Sequence, residues 1–393
     1  MPADLVVIGG GVAGIHTVNL LARRLGPDDA TIHLVDRHGV HVFQPGLLRL
    51  SLGRTEAPRL VRDVRRLVPD HVELHIDEAI RLDPVARVVH LERYGALSFD
   101  HLVLATGARV DRESLPGLRL GAHDFHTLPA AQRLREALRS FQGGELVVGV
   151  TSVPYKCPPA PVEFTLLVEE ELRRRGVRSR TNITFLSPIE RAFPIDGASR
   201  LIEPVFAERG IRLARFANVE EIDPDKRTIV TLEGETFDYD LAVLVPPHAG
   251  STVVGNSGLG DREGWVPTEP ETLRALGFTS VHVVGDATDL PVSKTGSTAH
   301  FEAPIVVERI VAALRDRDPD PGRSVFDGKV VCLLDMGGRK GTVVTYDYRH
   351  PADPPKPALR WYLAKRIFER AYWITIRRAS GARMDRWIER LAR

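Results

Sequence analysis

Residues 5–8 form a short run of consecutive apolar positions, the pattern of a strand buried on both faces of a parallel sheet. Gly9-Gly10-Gly11-Val12-Ala13-Gly14 follows at once. The period then changes, and Ile15, Val18, Leu21, Ala22 and Leu25 recur at helical spacing. A second strand is predicted over residues 31–35, ending on Asp36. Three more apolar runs read as buried strands, at residues 102–104, 145–150 and 280–284. Near the C-terminus, residues 359–374 read as an amphipathic helix with Trp361, Ala364, Ile367, Phe368, Ala371 and Ile374 on one broad face. Residues 351–357, with four prolines, predict a stiff linker before it.

The pattern also repeats. Residues 72–108 hold apolar strands around Leu82-Asp83-Pro84, and residues 212–247 hold their like around Ile222-Asp223-Pro224, 140 positions on. Such a repeat predicts two related dinucleotide-type domains in an α/β fold, the second inserted into the first. The expected parts are 1–108 plus 245–320, then 109–244, and a C-terminal module over 321–393 that ends in amphipathic helices.

Composition narrows the reading at three points. A length of 393 residues suits two or three domains. The net charge is +1, so no general attraction to nucleic acid follows, and no nucleic-acid motif accompanies the basic tail. That tail, from residue 356 on, carries 11 Lys or Arg against 3 Asp or Glu, a balance of 11 − 3 = +8. Basic residues mixed with Trp and Phe predict contact with a membrane surface. No secretory signal and no 18-residue apolar run is seen, so the expected location is the cytoplasmic side, peripheral to the membrane. Two cysteines 175 positions apart are no disulfide framework of the secreted kind. No metal site is expected, and a homo-oligomer is left open.

The candidate chemistry begins with the glycines. Gly9, Gly11 and Gly14 fit G-x-G-x-x-G between a strand and a helix, with Asp36 at the end of the next strand. Gly9 would allow the tight turn, Gly11 the approach of a pyrophosphate, and Gly14 close helix–sheet packing. Asp36 would accept hydrogen bonds from a ribose diol. Two later segments, Ala105-Thr106-Gly107 after a strand and Gly285-Asp286 after another, resemble in this order the flavoproteins of glutathione-reductase fold. That resemblance implies FAD as cofactor, with Asp286 on the ribityl chain and Thr106 and Gly107 beside the flavin.

The second domain opens on its own strand at residues 145–150, but Thr151-Ser152-Val153-Pro154-Tyr155-Lys156-Cys157 stands where a second glycine loop would be. Of the fingerprint only Gly149 remains, which makes NADH a poor donor. Cys157 precedes a helix predicted from about residue 161, and the helix N-terminus and Lys156 are expected to lower its pKa. Cys157 is therefore a candidate nucleophile.

With Cys332 in Val330-Val331-Cys332-Leu333-Leu334-Asp335, the Cys157-Pro158-Pro159-Ala160-Pro161-Val162-Glu163 stretch resembles the sulfide:quinone oxidoreductases and flavocytochrome c sulfide dehydrogenases. Residues 245–248, 264–267 and 291–296 are similar too, so the likeness spans nearly the whole chain. It implies that Cys157 and Cys332 meet at the flavin as a redox pair, that sulfide attacks the bond between them, and that electrons pass through FAD to a quinone. Glu163 reads either as a proton acceptor or as a solvated helix glutamate. Lys294 would lie at the flavin pyrimidine edge and stabilise reduced flavin. No third cysteine precedes Cys157, unlike many bacterial members of that family. Two other readings compete: a non-electrogenic NADH:quinone oxidoreductase, and a non-catalytic flavoprotein switched by its cysteines.

Overall fold

Strands form where the apolar runs stand. The computed structural model describes residues 2–392. Along the chain come β1 (Ala3–Ile8), helix α1 (Val12–Arg24), β2 (Ala30–Asp36) and β3 (Glu73–Ile76). A small antiparallel trio follows, β4 (Ala79–Asp83), β5 (Val88–Leu91) and β6 (Ala96–Ser98), and then β7 (His101–Leu104). The next stretch brings β8 (Gly144–Val150), helix α2 (Pro159–Arg174), β9 (Thr181–Leu186) and β10 (Ile211–Ala214). A second trio, β11 (Val219–Asp223), β12 (Thr228–Thr231) and β13 (Thr236–Asp238), leads into β14 (Leu241–Val245). The chain then supplies β15 (Val281–Val283), α3 (Gly296–Leu314), β16 (Val330–Asp335) and β17 (Gly341–Tyr346). It ends with α4 (Leu359–Arg377) and α5 (Gly381–Ala392).

Two parallel sheets organise these elements. The first has the order β15-β7-β1-β2-β3 and the second β10-β9-β8-β14. The fold is thus α/β, with the internal repeat written into it. β4 to β6 and β11 to β13 begin and end 140 positions apart, and each trio carries a register shift at its first strand, between Ala79 and Arg81 and between Val219 and Glu221. Arg87 and Arg227, also 140 apart, both turn in the left-handed region, at φ +58° and +55°.

Apolar periodicity accounts for the packing. Ile15, Val18 and Leu21 of α1 are fully buried against Val306, Ile310 and Val311 of α3. Each buried Leu, Ile or Val contributes about 1.5–3 kcal/mol relative to exposure. The paired strands β16 and β17 lie against α4, whose Trp361 is fully buried with Val331 and Val343. The proline-rich segment 351–357 is not a free linker. Ala352 is buried in the core of the second sheet, and the Pro355 carbonyl accepts from Thr342 Oγ1 at 2.6 Å.

The broad apolar face predicted on α4 is divided. Trp361 and Ala364 are buried, while Ile367 and Ile374 are exposed, as are Leu363 on the same outer side and Trp387 and Leu391 on α5. Side chains at spacings of three and four needed for one stripe serve two surfaces here, because α4 packs on β16, β17 and α1 and still turns one side outward. Among the described residues no helix is long and apolar enough to cross a membrane.

Candidate active site

The glycine loop and both acids singled out stand at the carboxyl ends of strands in the first sheet. Gly9 follows β1, Asp36 ends β2, Thr106 and Gly107 lie just past β7, and Gly285 and Asp286 lie just past β15. In open parallel sheets ligands bind at that edge. At Gly9 the backbone is left-handed, φ +111°, and an added Cβ would stand 2.3 Å from the Ala105 carbonyl oxygen. A Cβ on Gly14 would stand 1.8 Å from the Gly9 oxygen, but one on Gly11 would meet nothing within 4 Å. Gly9 and Gly14 therefore close the turn, and Gly11 leaves open room at the N-terminus of α1, where an anionic pyrophosphate is favoured.

Asp36 accepts backbone hydrogen bonds from Gly10 at 2.7 Å, His38 at 3.1 Å and Gly39 at 2.6 Å, which fixes its carboxylate beside the loop. The Thr106 hydroxyl is buried without a protein partner. Buried polar atoms are normally hydrogen-bonded, so this one points to a ligand. The residues present fit FAD on these counts.

Asp286 is surrounded by cations. Burial raises its pKa, and Lys156 and Lys294 oppose that rise. Lys294 is itself tied in place. Its Nζ donates to the carbonyls of Asp286 at 3.2 Å and Thr288 at 2.5 Å, and it lies 3.9 Å over the Trp265 ring.

In the second sheet, residues 151–158 occupy the edge where a second glycine loop would lie. The Thr151 hydroxyl donates to the Val245 carbonyl at 2.8 Å, and Tyr155 and Lys156 are buried. Cys157 takes the left-handed conformation, φ +57°, uncommon for a residue with a Cβ. Two hydrogen bonds hold it: its N–H donates to the Lys294 carbonyl and its carbonyl accepts from Ala160 N–H, each at 2.8 Å. The first of these ties the cysteine loop to the first sheet's ligand edge.

The two cysteines border one apolar cluster built around the second sheet, both as free thiols. Ionised Cys157 acts electrostatically on Cys332, so the fold brings the two into one neighbourhood across 175 residues. The expected low pKa of Cys157 is corrected. Its thiol is pushed up to about 11, by burial first and then by the charge of Glu163. Cys332 is pushed up to about 12, by burial and then by Cys157. The reason is local. Helix α2 starts at Pro159 with Pro161 two residues later, so its first turn lacks two of the N–H groups that would favour a thiolate; Ala160 N–H lowers the pKa only slightly against burial. Lys156 is no strong substitute, because burial lowers its own pKa.

Glu163 is not solvated. It is buried, accepts from Asp335 N–H at 3.3 Å, and pairs through both oxygens with Lys365 of α4. Burial raises the pKa of Glu163, and Lys365, Asp335 and Glu369 act on it from α4 and β16. Lys365 is the cation that opposes the rise at Cys157. No local pattern marks Lys365, which lies within the stretch read as a membrane-surface helix. His41 was also missed. It joins Gly10 O, 2.9 Å from its Nδ1, to the Tyr372 hydroxyl, 2.6 Å from its Nε2, and so ties the glycine loop to α4.

A family model described as pyridine nucleotide-disulphide oxidoreductase matches residues 3–303. The chain is 26% identical over 381 residues to the mitochondrial sulfide:quinone oxidoreductase of Mus musculus, covering 92% of this chain and 83% of that protein. It is 28% identical over 365 residues to the type II NADH:quinone oxidoreductase of Staphylococcus epidermidis, covering 87% and 89%. The solved sulfide:quinone oxidoreductase of Aquifex aeolicus superposes with a TM-score of 0.86 at 24% identity, over 97% of this chain and 92% of that one.

Proposed function

Because this chain belongs to the pyridine nucleotide-disulphide oxidoreductase family, we propose that it is an FAD-dependent oxidoreductase that oxidises sulfide through Cys157 and Cys332 and delivers the electrons to a membrane quinone. The observation that supports this reading is that both cysteines pack against the same apolar cluster, with the Cys157 N–H hydrogen-bonded to the Lys294 carbonyl. Residues 1–108 plus 245–320 would hold FAD, through Gly9, Gly11, Gly14, Asp36, Thr106, Gly107, Gly285, Asp286 and Lys294. Residues 109–244 supply Cys157 and 321–393 supply Cys332.

In the oxidised pair, hydrosulfide attacks one sulfur and breaks the S–S bond. A persulfide forms on that cysteine, and the other leaves as a thiolate. A small thiol or a second sulfide removes the outer sulfur, which leaves both cysteines reduced. Re-forming the disulfide releases two electrons and two protons. Bound FAD would supply the two-electron acceptor for that step and hand the electrons on to quinone. Cys157, whose N–H donates to the Lys294 carbonyl, is tied to the edge that would hold FAD. Glu163 and Lys365, which both act on Cys157, are the pair that accepts and returns a proton, and burial favours the thiol form of both cysteines whenever the pair is reduced. Lys294 and Lys156 offset negative charge that develops at the Asp286 end.

The outer sides of α4 and α5 mix exposed Leu363, Ile367, Ile374, Trp387 and Leu391 with Arg370, Arg377, Arg386 and Arg390. That combination suits a membrane interface, where a quinone resides. The likeness to an NADH:quinone oxidoreductase favours a second reading with NADH as donor; the loop over residues 151–158 stands against it. Anaerobic mixing separates the two. Sulfide, and not NADH, is expected to bleach the flavin, and Cys157→Ser is expected to abolish that bleaching while FAD stays bound. Bleaching by NADH alone overturns the proposal.

A further inference from the structure

Strand β3 is the edge of the first sheet, and its pairing with β2 sets His33 opposite Glu73. His75, two residues on from Glu73, projects from the same face. The three side chains converge: His33 Nδ1 lies 3.1 Å from His75 Nε2 and 3.2 Å from Glu73 Oε2, and His75 Nε2 lies 4.0 Å from that same oxygen. Among the described residues this is the one place where three His, Cys, Asp or Glu side chains come close enough to share an ion.

We propose that His33, Glu73 and His75 form a binding site for a divalent transition metal, zinc(II) by preference, that clamps the edge strand to the sheet. Two imidazoles and one carboxylate are a borderline-soft donor set suited to zinc. Tetrahedral zinc with bonds of about 2.0–2.1 Å requires donor separations of roughly 3.3–3.4 Å. Two of the three separations are already within 0.3 Å of that, and the third closes by rotation of the exposed Glu73 side chain. Two further observations support the geometry. Asp4 Oδ1 lies 3.7 Å from His33 Nε2, on the side of the ring away from the site, where a carboxylate orients a metal-bound imidazole. Among the described residues Glu73 pairs with the two histidines and with no lysine or arginine. The bare cluster has two imidazole rings and one carboxylate within a few ångströms of one another, and a cation would link all three.

The site lies next to the ligand edge. His33 is three residues before Asp36, and Ile76 pairs with Asp36 itself. A metal there braces the strand end that presents Asp36, without touching either cysteine. The sequence predicted no metal site because its members lie 40 positions apart and meet only through parallel pairing.

The FAD-loaded protein is titrated with zinc(II) in competition with a chromophoric chelator, after its cysteines are blocked with N-ethylmaleimide. One equivalent is expected to bind, with affinity falling by about 100-fold or more in His75→Ala and Glu73→Gln. Cobalt(II) in place of zinc should give d–d absorption without a thiolate charge-transfer band. Zinc should raise Tm in the parent protein and not in Glu73→Gln, whose exposed position leaves folding intact. No bound equivalent, equal binding in both variants, or a Tm response unchanged by Glu73→Gln overturns the proposal.

Discussion

Replacing Glu163 by glutamine removes one charge from a buried pair and leaves Lys365 with Asp335 and Glu369 as its remaining acidic neighbours. Breaking a buried ion pair costs about 3–5 kcal/mol. With two acids still facing Lys365, about 3 kcal/mol is expected, a fall in Tm of roughly 6 °C at about 2 °C per kcal/mol. The effect on Cys157 has the opposite sense. At a thiol pKa of about 11, roughly one molecule in a thousand is thiolate at pH 8. Glu163 is the largest electrostatic contributor to that elevation after burial, and Lys365 opposes it. Glu163→Gln therefore lowers the pKa, and a fall of about one unit raises the thiolate fraction about tenfold. The assay is iodoacetamide alkylation of Cys157 in the reduced, FAD-loaded protein, followed by mass spectrometry from pH 6 to 10. Adding Lys365→Met makes the pair neutral, which should recover much of the lost stability and slow alkylation again. Alkylation of Glu163→Gln no faster than the parent, or a double variant faster than the single one, contradicts this role of Glu163 and Lys365.

Three further outcomes follow from particular contacts. Gly11→Ala should fold with its Tm unchanged in the absence of FAD yet lose FAD affinity by at least about tenfold, whereas Gly14→Ala meets the Gly9 oxygen and should lower Tm; flavin content and thermal melts separate them. Glu302, pushed up to about 8 mainly by burial, keeps a proton in the folded state that the unfolded chain has lost above about pH 4.5. Stability should thus fall as pH rises from about 4.5 to 8, by up to about 5 kcal/mol, and Glu302→Gln should flatten that slope in urea melts. Ile367→Ser with Ile374→Ser should weaken sedimentation with anionic lipid vesicles several-fold while sulfide-driven bleaching of flavin stays normal.

Much of the fold was legible because its signals are local. Runs such as residues 5–8 have no polar position to disguise them, and a glycine at 9, 11 and 14 has few structural alternatives once strand and helix flank it. The repeat at 140 residues exposed the second sheet even though its glycine loop is gone. The electrostatics of the site were not legible. The pKa of Cys157 depends on how many N–H groups Pro159 and Pro161 remove, on burial, and on Lys365, which lies 208 positions away and reaches it only by packing of α4. The helical reading of residues 359–374 placed α4 but not its division into two surfaces: periodicity tells that a helix has an apolar side, not which residues face protein and which face outward. His33, Glu73 and His75 meet only through strand register, which one sequence does not disclose.

On the mechanism proposed, electrons enter through Cys157 and Cys332. Anaerobic stopped-flow absorbance of the FAD-loaded protein mixed with sulfide tests it most directly, with Cys157→Ser and Cys332→Ser run beside the parent. Rapid bleaching in the parent, reversed by added quinone and absent from both variants, is the predicted result. Undiminished bleaching in either variant, or bleaching by NADH and not by sulfide, contradicts it.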